Sequence, residues 1–120
     1  MTPVATLPGR PFPPTVRRMT VKLVVLYTHP DDAEAFDRHY LDVHMPLVGQ
    51  IPGLLRAEAA QVVTALDGGE HTYYRITEMY FASQAALGAA FSSAEGKATA
   101  ADYQKIAPPG SRMFVAGLDD

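Results

Sequence analysis

From Thr20 to Tyr27 the chain reads TVKLVVLY, a β-branched run that predicts a first strand. His29-Pro30-Asp31 stops it, and Asp31 or Asp32 can cap a helix beginning at Ala33. From Ala33 to about His44 the apolar period changes to that of a helix. At roughly 100° per residue, Ala33, Phe36, Tyr40, Val43 and Leu47 share one arc of about 80°, with Asp32, Asp37, Arg38 and Asp42 outside it. Pro46 cannot donate to the helical ladder, so the helix is expected to kink or end near Met45. Ile51-Pro52-Gly53 reads as a turn, and Leu54 to Ala65 as a second strand. Asp67-Gly68-Gly69-Glu70 predicts a hairpin, with a third strand from His71 to Phe81. Ser83 can cap a helix through Ala90, and Ser92 or Ser93 another toward Ile106. Pro108-Pro109-Gly110 ends it, and Ser111 to Leu118 is a last strand.

The resulting order, β-α-β-β-α-β, is that of an α+β, ferredoxin-like domain: a four-stranded antiparallel sheet with its helices on one face. The uncovered face should then be polar in a monomer. Yet the strands read as apolar on both sides. Val21, Leu23, Val25 and Tyr27 alternate with Val24 and Leu26, and Met113 and Val115 with Phe114, Ala116 and Leu118. The expectation is a homodimer, sheet against sheet, closing a dimeric α+β barrel.

Composition adds a boundary. Five of the ten prolines fall in the first 14 residues, and Arg10, Arg17 and Arg18 precede any acidic residue. Residues 1–18 are therefore a basic, proline-rich arm, and residues 19–120 an acidic folding unit. The net charge of −3 argues against a nucleic-acid partner. No apolar run is long enough for a membrane helix and no secretory leader is evident, which leaves a cytoplasmic protein as the expectation. The absence of cysteine removes disulfides, thiolate metal sites and a thiol nucleophile.

Neither a phosphate-binding glycine loop nor a G-x-S-x-G elbow is present. Histidines 39 and 44 are five apart, about 140° around an α-helix, whereas metal ligands on one helix need spacings of three or four. No metal and no cofactor are expected. His44 lies about 40° beyond Tyr40, at the edge of the apolar stripe and beside the break at Pro46. An imidazole there can act as acid or base near neutral pH, or simply cap the helix end. On the third strand, Glu78 shares one parity with Tyr74, Ile76 and Tyr80. If that face lines a cavity, Glu78 is an acid among apolar groups. Otherwise it pairs with Arg56 or Arg75, and the tyrosines are packing.

Several segments together resemble the EthD family. They are the run from Phe36 through His39, Tyr40 and His44 to Pro46-Leu47, the Ile51-Pro52-Gly53-Leu54 turn, the Glu78 to Ser83 entry to the next helix, and Ser93 to Gly96 with Asp102. The resemblance spans about residues 20–118, and the arm departs from it. It implies a dimeric α+β barrel with a cavity in each protomer between sheet and helix. It also implies a link to ethyl tert-butyl ether degradation beside an oxidative system, and some members carry a reductase label. Related proteins include cofactor-free monooxygenases, lactone isomerases and polyketide tailoring enzymes. His44 matches the family's characteristic histidine.

The expected function is proton-transfer or cofactor-independent oxidative chemistry on a small hydrophobic molecule. His44 would move the proton, Glu78 would assist, and Tyr27, Tyr40, Tyr74 and Tyr80 would shape the pocket. The alternatives are a carrier of a hydrophobic metabolite or haem, and an accessory interaction module whose dimer surface is its whole role.

Overall fold

The structure, a computed structural model, describes residues 19–119; the proline-rich arm read at residues 1–18 lies outside them. Four strands, β1 (Val21–Thr28), β2 (Leu54–Gln61), β3 (Tyr73–Phe81) and β4 (Arg112–Gly117), form one antiparallel sheet in the order β2-β3-β1-β4. Three helices accompany it. The first runs through residues 33–49 in three segments, α1 (Ala33–His39), a π-helical turn (Tyr40–His44) and α2 (Met45–Gly49). The others are α3 (Gln84–Ser92) and α4 (Ala94–Ile106). This is the ferredoxin-like arrangement that the pattern predicts.

Local chemistry sets the boundaries. Of the two candidate caps for the first helix, Asp32 is used: its carboxylate accepts the Ala35 N–H at 3.0 Å. Ser83 caps α3 and Ser93 caps α4, each accepting a backbone N–H three residues on. Gly53 closes the turn before β2 at a φ of 81°, a conformation that a side chain would strain.

The core lies between the sheet and the helices. Val21, Leu23, Val25 and Tyr27 of β1 face it, beside Thr77, Met79 and Phe81 of β3 and beneath Phe36, Tyr40 and Val48 of the first helix. Tyr27 is the hub, edge-on to Phe36 at 5.4 Å and to Tyr40 at 5.6 Å between centroids. Each such ring pair adds about 0.5–1.5 kcal/mol beyond the burial itself.

Three expectations change. The hairpin is looser than Asp67–Glu70 suggested: β2 ends at Gln61, β3 begins at Tyr73, and Val63 and Leu66 stand out in solvent. Their apolar side chains meet no neighbouring strand or helix there, so the ladder stops early.

The first helix does not end at Met45. It passes Pro46 after widening by one residue, with the Met45 N–H donating to the Tyr40 carbonyl five residues back. The widened turn carries Val43 out to solvent and His44 in, the reverse of the α-helical arc.

The outer sheet face is not simply apolar. Lys22 meets Glu78 there at 2.7 Å, and the Arg56 guanidinium lies 4.1 Å from the centre of the Tyr80 ring. Val24, Leu26, Ile76 and the half-exposed Phe114 complete that face.

Candidate functional site

The widened turn creates the site. In a turn bonded i to i+5, the fifth residue returns above the first, so His39 and His44 face the same way. Both meet Asp102, which α4 presents beneath them. His39 Nε2–H donates to Asp102 Oδ1 at 2.8 Å, and His44 Nδ1–H donates to Asp102 Oδ2 at 2.8 Å. The carboxylate has no proton to give, so Nδ1 of His44 must carry one. On the neutral ring Nε2 is then an acceptor, and it receives the Tyr27 hydroxyl at 3.3 Å. Hydrogen bonds thus run from Tyr27 through His44 to Asp102, with the basic nitrogen of the ring, Nε2, on the Tyr27 side.

His44 is only 2% exposed, and burial pulls its pKa below the usual imidazole value against the opposing pull of Asp102. It is therefore a neutral base at neutral pH. For Asp102, burial pushes its pKa up, but the hydrogen bonds from His39 and His44 outweigh it and hold the carboxyl below the ordinary value. Burial raises Tyr27 far above its ordinary value, so its hydroxyl keeps its proton.

His44 and Tyr27 form the polar corner of a cavity of about 210 Å³. Its other walls are mostly apolar: Leu23, Val25, Met79, Leu87 and Phe91, with Met113 on β4, while α4 adds Tyr103 and Thr99, whose hydroxyl donates to the Glu95 carbonyl. Met113 is half-exposed, so the cavity reaches the surface along the edge strand.

Of the six residues singled out from the sequence, His44 and Tyr27 line this cavity together. Tyr40 lies behind them, stacked on His44 at 5.9 Å, with its hydroxyl on Thr77 and its ring under the Arg75 guanidinium. Tyr74 does not keep the parity assumed for it. It is the extra residue of a bulge, for Thr28 pairs with Tyr73 and Tyr27 with Arg75. The bulge turns Tyr74 toward the first helix, where its hydroxyl donates to Asp37 at 2.6 Å and its ring meets Phe36. Glu78 and Tyr80 lie on the opposite face of the sheet from His44. Glu78 pairs with Lys22 rather than with Arg56 or Arg75, and Arg75 is held by Asp37. The reason is the strand period: Glu78 stands across from Val24, which points away from the helices.

Asp102 and His39 were not among the residues assigned a role. Asp102 had a signal of its own. It falls in the buried stripe of α4, with Thr99 one turn before and Tyr103 and Ile106 beside it, where a carboxylate needs a partner. His39 had none, because an α-helical wheel places it on another face from His44. Among the described residues, no group of His, Cys, Asp or Glu is arranged to hold a metal ion, and no helix is long and apolar enough to cross a membrane.

Fold and site together define a ferredoxin-like protein with a histidine-cornered cavity between sheet and helices. Residues 29–109 match the EthD domain model, and the chain belongs to that family. It is 41% identical over 93 residues to an uncharacterized 11.0 kDa protein of the thcB–thcC intergenic region of Rhodococcus erythropolis, covering 78% of this chain and 89% of that one. A crystal structure of an ethyl tert-butyl ether D (EthD) family protein from Bacillus halodurans superposes with a TM-score of 0.79 at 36% identity, covering 84% of this chain and all of that one. The hydroxynitrile lyase of Passiflora edulis shares the fold at 10% identity, with a TM-score of 0.71 over 86% of this chain and 96% of its own.

Proposed function

We propose that the chain is an acid–base enzyme for a small, mostly apolar organic molecule, with His44 moving the proton. The observation that carries this reading is the orientation of one ring. Asp102 holds the Nδ1 side, which leaves the lone pair of Nε2 at the polar corner of an apolar cavity. A substrate carrying one acidic C–H or O–H would seat its hydrocarbon part among Leu23, Met79, Leu87 and Phe91. Its acidic group would replace the Tyr27 hydroxyl at Nε2. His44 would take the proton, Asp102 would stabilise the imidazolium, and Tyr27 would donate a hydrogen bond to the developing anion. Returning the proton at another atom gives an isomerisation, and losing a leaving group gives an elimination. Both balance without an external electron acceptor.

Glu78 has no part in this scheme, since the sheet separates it from the ring. Its place with Phe114, Val24 and Leu26 suits the face between two copies of the chain, the homodimer expected from the strand pattern. In such a dimer the second copy would cover Phe114 and shelter the edge strand beside Met113.

The test is native mass spectrometry of freshly purified protein, followed by a structure with the molecule it retains or with one found by screening. The expected result is a ligand whose polar atom lies within hydrogen-bond distance of His44 Nε2. A ligand seated in the cavity with no polar atom near that nitrogen would favour a carrier and remove the acid–base reading.

A further inference from the structure

His44 is buried, but the carboxylate that holds it is shared with a histidine that is not. The side chain of His39 is 36% exposed, against 2% for His44, and the two rings take the two oxygens of Asp102 at equal distances of 2.8 Å. We propose that His39 is a positioning residue that sets the protonation state of His44 through their common carboxylate. Its bearing on turnover rests on the acid–base reading above; its test does not.

The coupling is one of charge. Around His44 stand Asp102 and Tyr103 from α4, Tyr27 from β1, Tyr40 from its own turn with Arg75 of β3 behind it, and His39 from α1. The tyrosines stay neutral and the guanidinium stays charged through neutral pH. Asp102 stays ionised. Imidazole is the side chain that changes charge between about pH 5 and 8. A positive charge on His39 would pair with Asp102, and less of that negative charge would be left to stabilise an imidazolium at His44. A charge on His39 therefore makes His44 harder to protonate. The two rings are thus linked through one carboxylate.

Histidine-labelled protein titrated by NMR reads this directly, in the wild type and in His39→Gln, which can still hydrogen-bond Asp102 but never carries charge. The expected result is a His44 midpoint higher in His39→Gln than in the wild type. The acid limb of kcat/KM should move the same way. An unchanged midpoint, or a His44 neutral in both proteins down to acid unfolding, overturns the proposal. If His39→Gln does not fold, the wild-type curve decides: a two-step His44 titration supports coupling, and a single independent step refutes it. No substrate is needed, so loss of the acid–base reading and loss of the coupling are separate outcomes.

Discussion

His44 Nδ1 lies 2.8 Å from Asp102 Oδ2, and this one bond decides which nitrogen of the ring faces the cavity. Asp102→Asn should keep the fold and reverse the tautomer of the His44 ring. An amide can donate to Nδ1, which then accepts, and the proton moves to Nε2 where a base is needed. Turnover is expected to fall by about 10²–10⁴-fold with little change in circular dichroism. A loss of only a few-fold would mean that the tautomer is fixed by something else.

Stability should decline at both ends of the pH scale. The folded pKa of His44 lies below the ordinary 6.5 because of burial, so the unfolded chain takes up that proton first as pH falls. The stability present above pH 6.5 is lost as pH drops from there toward the folded value. Asp102, held below 3.8 by its two histidines against the effect of burial, adds a further loss on passing through that region. At the alkaline end Tyr27 and Tyr40 are raised above 10.0 by burial, so the unfolded chain ionises first and stability falls above that pH. Urea midpoints measured from pH 2 to 11 give the profile. His44→Gln should flatten the segment just below pH 6.5, and a slope that survives would assign it to another group.

Gly96 is a packing position at the junction of α3 and α4. A Cβ built there would come 2.1 Å from the Ala90 carbonyl oxygen and 2.6 Å from the Phe91 Cα. Both are backbone atoms, which cannot turn aside. Alanine gains about 1 kcal/mol of helix propensity over glycine, but an enforced backbone shift costs about 1–3 kcal/mol or more, and the clash should win. Gly96→Ala is expected to lower Tm by several degrees in a thermal melt. An equal or higher Tm would mean that the two helices separate freely.

Phe114 is half-exposed on the outer sheet face, across from Val24. If two copies meet there, a carboxylate at this position would be buried without a partner. Phe114→Glu should shift sedimentation velocity from dimer to monomer at micromolar concentration. A variant that stays dimeric would move the interface elsewhere.

The sheet was legible from local pattern. Val21, Leu23, Val25 and Tyr27 do share the buried face, because a strand has a period of two and no other register serves an apolar core. The cap at Ser83 was legible for a similar reason, and those of the other two helices to within one residue, Asp31 or Asp32 and Ser92 or Ser93, of which Asp32 and Ser93 are used. The site was legible only in part. His44 stood out beside Pro46, but its burial and its meeting with His39 depend on one added residue in the turn, and no propensity rule marks where a helix widens. Tyr74 was misplaced for the same kind of reason, since a bulge breaks the alternation on which parity rests. Asp102 is 63 residues from His39, and nothing local to either reports the other.

Everything proposed for the cavity turns on Nε2 of His44 moving a proton for the molecule held there. Once a substrate is in hand, the turnover of His44→Ala beside the wild type, both shown to be folded, decides the matter. A fall in kcat of about 10²–10⁴-fold is expected with binding largely kept, since the apolar walls are untouched. A His44→Ala protein that works at the wild-type rate would contradict the proton-transfer role.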